Sequence, residues 1–381
     1  MIRPASGFYR KVAEAQSRKE FAGIVLVVIF PNFAVKLPFM SYRIRLPLVL
    51  LLPFLSNLGS LAQENKTFTG PTMGTRYAIS VVGHGAVQDT GALKRLVDSW
   101  LENFNRLMST YDPDSELSRF NRHRENDWFA VSQETAEVVQ YALQIARDTE
   151  GAFDPTVAPL VSLWGFGPEG RRIEPPTDEQ NEVARRRVGF QHLSVRTQPP
   201  ALRKAIPDLA VDLSALAPGF AADELSELLQ AQGCRASLVD IGGEIVARGR
   251  KPNGSPWRIG VEAPSGNLSK RMIELQDTAV ATSGDTRNAF VHGGVRYSHV
   301  IDPHTGKPVR HDLASVTVLA DTCKRADALA TALLVMGDKT GYAWCERHNV
   351  AALFMIRAMD GTITEHGTPA FERRSDAKIE P

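Results

Sequence analysis

From Gly91 to Tyr111 the chain places Leu93, Leu96, Val97, Trp100, Leu101, Phe104 and Leu107 three and four residues apart. That is the spacing of an amphipathic helix with one apolar face. The period recurs in SQETAEVVQYALQIARDTEG (Ser132 to Gly151), which opens on a hydroxyl residue and closes on glycine, both helix-boundary signals. PTDEQNEVARRR predicts a third, shorter helix, and ADELSELLQAQG (Ala222 to Gly233) a fourth. Strand patterns lie between them. TRYAISVVG (Thr75 to Gly83) alternates, ASLVDIGGEIVARG, WRIGVE, TAVATSG and ASVTVLA are rich in β-formers, and AALFMIRAMDGTITEH predicts a hairpin turning at Asp360–Gly361. Helices and strands mix without a steady βαβ rhythm, so the expected fold is α+β, a mixed but mostly antiparallel sheet packed with helices.

One predicted helix breaks its own pattern. ADALATALLVMG (Ala326 to Gly337) is apolar on nearly every side except at Asp327 and Thr331. Residues four apart share a helix face. On one reading Asp327 is the N-cap of the helix and Thr331 bonds back to the carbonyl of residue 327. On the other, both face one site, because a hard cation such as Mg²⁺ takes oxygen ligands, few of them from the protein when phosphate and water supply the rest. From these residues alone capping ranks first.

The beginning of the chain is patterned differently. From Met40, MSYRIRLPLVLLLPFLSNLGSLAQ has two arginines, an apolar run from Leu46 to Leu55 and a small-x-small ending at Ala62, the three-part pattern of a secretory signal peptide. Residues 1–62 are therefore expected to be an N-terminal extension and leader, with Met40 as the start and cleavage after Ala62. A catalytic domain is expected over 63–371 and a frayed polar tail over 372–381. The apolar run Phe21 to Phe30 is too short to span a bilayer comfortably. No cysteine follows the leader's apolar run, so a lipid anchor on cysteine is not expected.

The 381 residues carry a net charge of +1, are 43% hydrophobic and 23% charged, the composition of a folded protein with no basic excess to suggest nucleic acid. Cys234, Cys323 and Cys345 are too few and too scattered for a zinc site or a disulfide framework, and read as buried structural residues.

Five stretches carry more Gly, Asp, Ser, Thr and His than packing needs: PTMGTRY (Pro71 to Tyr77), GAFDPTVAPLVSLWGFGP (Gly151 to Pro168), VDLSALAPGFAAD (Val211 to Asp223), LVDIGGEI (Leu238 to Ile245) and ATSGDTRNAFVHGGVRYSHVIDPHTGKPV (Ala281 to Val309). Singly, each has a plain structural reading. Asp154–Pro155 is a turn or helix start, Asp212 binds a neighbouring amide, Gly242–Gly243 is a bulge within a strand, and Asp302 to Gly306 is a hairpin turn. His299 is a candidate general base near neutral pH, with Asp302 three residues on and the hydroxyls of Tyr297 and Ser298 beside it.

In combination and in order, TMGTRY, MSTYDPDSELSRFN, GAFDPTVAPLVSLWGFGP, DLSALAPGFAAD, DIGGEI, ATSGDTRN, YSHVIDPHTGKPV and ADALATALLVMG resemble the ApbE family of flavin transferases, from about Met73 to the end. The resemblance implies an ApbE-like (T-fold-like) single catalytic domain and Mg²⁺-dependent cleavage of FAD at its pyrophosphate. FMN would go to a Thr or Ser hydroxyl of a target protein, such as a subunit of a membrane redox complex, and AMP would leave. It implies an exported enzyme, in the periplasm or on the outer face of the inner membrane. Asp327 and Thr331 match the family's side-chain ligands for Mg²⁺ and the carbonyl of Ala215 its backbone ligand. Met73, Tyr111, Ala152, Phe153, Asp154, Asp212 and Ile301 fall where the family contacts FAD, and His299 matches its general base. The resemblance ranks the metal reading of Asp327 and Thr331 above the cap. Gly219, Gly242, Gly243 and Gly284 would let amides approach phosphate oxygens, and Tyr111 could stack on a ring of the cofactor or equally belong to the core.

The sequence departs from the family pattern at Pro218, where a lysine or another polar residue is common, and at Thr286, where an aromatic is common. Two alternatives share the residues: an FAD pyrophosphatase with water as acceptor, and a periplasmic FAD-binding protein without chemistry, which would need neither the metal pair nor the base.

Overall fold

The computed structural model describes residues 65–83, 89–263, 268–285 and 288–374. The expected leader, Thr286 and the tail beyond Arg374 lie outside the described residues.

Eight strands form the main sheet: β1 (Lys66–Thr72), β2 (Thr75–Gly83), β3 (Cys234–Ile241), β4 (Glu244–Arg248), β5 (Thr278–Gly284), β6 (Leu313–Ala320), β7 (Ala351–Arg357) and β8 (Ile363–Gly367). They lie side by side in that order and every neighbouring pair is antiparallel. The sheet is a meander interrupted by insertions. Eight helices are described: α1 (Thr90–Met108), α2 (Glu116–Arg122), α3 (Gln133–Asp148), α4 (Ala158–Leu163), α5 (Asp178–Arg185), α6 (Ala217–Ala231), α7 (Cys323–His348) and α8 (Pro369–Arg374). Six of them fall in the long insertion between β2 and β3.

The local signals explain most of these boundaries. Asp89 accepts from the Ala92 amide at the start of α1, Ser132 from the Thr135 amide at the start of α3, and Thr177 forms a capping box with Gln180 on α5; each side chain satisfies an amide that the first turn leaves without a partner. Tertiary structure moves four expectations. Helix α6 begins at Ala217, five residues before the expected Ala222, because Pro218 sits in the first turn, where no intrahelical N–H is required. Gly242 and Gly243, expected as a bulge, are the two-residue turn of the β3–β4 hairpin, with φ of +70° and +113° and Ile241 paired with Glu244. Helix α7 begins at Cys323, so Asp327 lies in its second turn and is not its N-cap. The last segment is ordered beyond residue 372: α8 runs to Arg374, buries Phe371 completely and pairs Arg374 with Asp321 at 2.6 Å.

Gly337 interrupts α7 with φ +80° and ψ 177°, where the sequence places a helix-ending glycine, but helical backbone resumes and continues to His348. Helices α6 and α7 pack against one face of the sheet. The antiparallel hairpin of Trp257–Glu262 and Leu268–Leu275, together with α8, covers the other. Strand β6 is therefore buried along its whole length. Val316, Val318 and Ala320 meet Leu329 and Leu333 of α7, while Leu319 meets Trp257 and Phe371. Among the described residues no helix is long and apolar enough to cross a membrane, and all three cysteines are free and buried.

Candidate active site

The ends of β4, β5 and β6, the middle of α7 and the loops of the insertions surround a cavity of about 360 Å³. Of the eleven residues singled out in the sequence, ten line it: Tyr111, Ala152, Phe153, Asp154, Asp212, Ala215, His299, Ile301, Asp327 and Thr331. Met73 does not. It lies on the two-residue turn between β1 and β2, with φ +46° beside Gly74.

Asp327, Thr331 and Ala215 all line the cavity. The sheet and α6 enclose Asp327, leaving it 5% exposed. Its Oδ2 accepts a hydrogen bond from the Gly219 amide at 3.0 Å. Burial, with the Asp223 carboxylate adding to it, pushes the Asp327 carboxyl up to about 7 against the opposing Gly219 N–H. The Thr331 hydroxyl does not stand on its helix alone: it lies 2.9 Å from the Ser283 hydroxyl of β5. Among the described residues, no three His, Cys, Asp or Glu side chains gather to hold a metal. The three residues would instead bring one carboxylate, one hydroxyl and one backbone carbonyl to the cavity. This all-oxygen set fits a hard divalent cation that takes its remaining ligands from phosphate and water, and a carboxylate raised by burial is one whose charge a cation would stabilise.

His299 lines the cavity just after a hairpin of Ala289–His292 and Val295–Ser298. Its amide and its Nδ1 both reach the carbonyl of Asn288 at 3.0 Å. A carbonyl only accepts, so Nδ1 carries the proton and Nε2 is the basic nitrogen of the ring. The edge of the ring approaches Phe166, with centroids 6.3 Å apart. Asp302 is not its partner. The carboxylate of Asp302 turns to the His304 amide at 2.9 Å and to the Thr305 hydroxyl at 2.9 Å, and its carbonyl accepts from Gly306. This is the hairpin turn that the motif also permits.

The remaining wall is built by carboxylates that fold loops. Asp154 is buried, and accepts from the amide and hydroxyl of Thr156 at 2.8 and 2.7 Å and from the Phe190 amide at 3.0 Å. Burial raises its pKa while these donors oppose the rise. Asp212 accepts from the Ser214 amide at 2.8 Å and so shapes the turn that presents Ala215. Tyr111 is 66% exposed, its hydroxyl on the Phe166 carbonyl at 3.2 Å, which leaves much of an aromatic ring open beside the cavity.

The glycines named in the sequence divide by where they sit. A Cβ on Gly219 would lie 2.7 Å from the Cys323 carbonyl oxygen and 2.8 Å from Asp327 Cβ, so this glycine lets α6 and α7 touch and gives its amide to Asp327. A Cβ on Gly242 would meet Thr75. Gly284 does line the cavity. Pro218 does not line it. The sequence stretches contain Ser283, Asn288 and Glu244 without marking them. Their places beside Thr331, under His299 and on the cavity wall follow from pairings across the sheet and hairpin, and nothing in their spacing signals them.

The ApbE family model matches residues 73–354 of this chain. The chain is 45% identical over 311 residues to the FAD:protein FMN transferase of Vibrio cholerae, covering 81% of this chain and 92% of that protein. Among solved structures, the flavin transferase ApbE from Vibrio cholerae superimposes with a TM-score of 0.76 at 44% identity, over 82% of this chain and 99% of that one. The apo flavinyl transferase ApbE of Pseudomonas stutzeri gives 0.77 at 40% identity, over 83% and 98%.

Proposed function

Because this chain belongs to the ApbE family, we propose that it is an FAD:protein FMN transferase that moves FMN from FAD to a Thr or Ser hydroxyl of another protein, with Mg²⁺ bound and AMP released. The observation that carries the reading is the placement, on one cavity, of a histidine with its Nδ1 proton held by Asn288 and an oxygen-only set of Asp327, Thr331 and Ala215.

Phosphoryl chemistry on an anionic pyrophosphate is limited by charge repulsion and positioning. Bound at Asp327, Mg²⁺ would neutralise charge on the pyrophosphate and on the departing phosphate. The protein's own residues do the rest. The Asn288 carbonyl orients His299 so that Nε2 can take the proton from the acceptor hydroxyl. The hydroxyl oxygen then bonds to the FMN phosphorus, the bond from that phosphorus to the bridging oxygen breaks, and AMP carries away the electron pair. Phe153, Ile301 and Phe166 supply apolar surface for the flavin-bearing half of the substrate, and the exposed ring of Tyr111 can stack on one of its flat groups. On the family reading, the acceptor would be a subunit of a membrane redox complex. An export leader over the first 62 residues would place both proteins on the same side of the membrane.

Purified protein incubated with FAD and Mg²⁺, with and without a threonine-bearing acceptor subunit, tests the reading. AMP with covalently bound flavin is the expected result. Free FMN and AMP alone would make it a pyrophosphatase, and intact FAD would overturn both.

A further inference from the structure

Helices α6 and α7 begin side by side, and neither caps itself. Leu216 and Thr322, their N-cap residues, make no side-chain cap bond. Each helix is capped by a carboxylate from the second turn of the other. Asp223 of α6 accepts from the amides of Cys323 and Lys324 at 2.8 and 3.0 Å. Asp327 of α7 accepts from the amide of Gly219 at 3.0 Å. In both helices the donated amide and the capping acid stand four residues apart, Gly219 with Asp223 and Cys323 with Asp327, so the two first turns exchange equivalent groups. The exchange needs glycine at 219, where a Cβ would strike both the Cys323 carbonyl and Asp327.

The two acids have different surroundings. Asp223 is 5% exposed, gives both oxygens to amides and does not line the cavity. Asp327 gives Oδ2 to Gly219 and does line it. We infer that Asp223 is a positioning residue for the metal-binding carboxylate: by fixing the first turn of α7 against α6, it sets where Asp327 presents its remaining oxygen. The inference rests on the reading above that Asp327 holds the cation. Partners one shell out from a metal ligand fix its orientation, and losing one typically costs about 10–100-fold in metal affinity.

Mg²⁺ titrated calorimetrically into protein with ADP present, a ligand with a pyrophosphate but no flavin, tests the inference in wild type, Asp223→Ala and Asp223→Asn. The Ala variant is expected to bind Mg²⁺ about 10-fold more weakly or worse. The Asn variant, which keeps one acceptor oxygen, falls between. The Mg²⁺ midpoint for AMP release should shift by the same factor, while the rate at saturating Mg²⁺ stays within a few-fold. Unchanged Mg²⁺ affinity in a folded Ala variant overturns the inference, even if its melting temperature drops, because Asp223 would then be a helix cap and nothing more. Should the Ala variant fail to fold, the Asn variant decides on the same criterion. Absence of Mg²⁺ binding in the wild type overturns the metal assignment itself, and this inference with it.

Discussion

Asp154 and Asp327 are both buried carboxylates on the wall of one cavity, and the protein gives them different numbers of donors. Asp154 accepts three hydrogen bonds from the loop it closes, and these donors oppose the rise that burial causes. Asp327 accepts one amide and sits near Asp223, and burial carries it to about 7. A satisfied acid organises backbone. An under-satisfied one stores an electrostatic demand that only a proton or a cation can meet.

The contrast can be broken at either member. Asp327→Ala should reduce Mg²⁺-dependent AMP release by about 10³-fold, the scale of several kcal/mol of charge stabilisation, with fold retained by circular dichroism; activity that survives would make the carboxylate a helix cap. His299→Ala should slow flavin transfer by about 10²-fold or more and leave FAD affinity near wild type in a fluorescence titration. Lost affinity would instead place His299 among the binding groups. Asp154→Ala should cost folding stability. It leaves two buried donors and one half-buried donor without partners, and chemical denaturation should show a loss of about 2–4 kcal/mol.

The smallest effect sharpens the comparison through pH. A carboxyl raised in the folded state stabilises the protein fully below its unfolded pKa, and that contribution is lost as pH rises through the folded value. Without metal, the melting temperature should therefore fall by a few degrees between about pH 4 and 7. Asp327→Asn should flatten part of that fall, since Asp154 and Asp223 are also raised. Mg²⁺ should restore the wild type above pH 7 and not the variant. An identical pH profile in the two proteins would remove Asp327 from the account.

Much of the secondary structure was legible because its causes are local. The apolar period of α1, the Ser132 start of α3 and the alternation of β2 each lie within a few residues of the element they specify. Four of the five stretches rich in polar and small residues contribute to the cavity wall, and PTMGTRY does not. Where the sequence misled, a distant partner had replaced a local one. Asp327 looks like the cap of its own helix and caps α6. Asp302 looks like a companion to His299 and folds the next turn. Pro218 and Gly219 lie ahead of the expected helix and form its first turn.

The sequence by itself determined the α+β class, the positions of most helices and strands, and the residue types available for phosphoryl transfer. Tertiary structure alone decided which acid caps which helix, that Ser283 meets Thr331, that Asn288 fixes the proton on His299, and that Met73 stays off the cavity wall. The reason is range. Helical and strand periods are set by neighbours along the chain, whereas a buried carboxylate takes whichever donor the packed fold brings to it. For Asp327 that donor is 108 residues away.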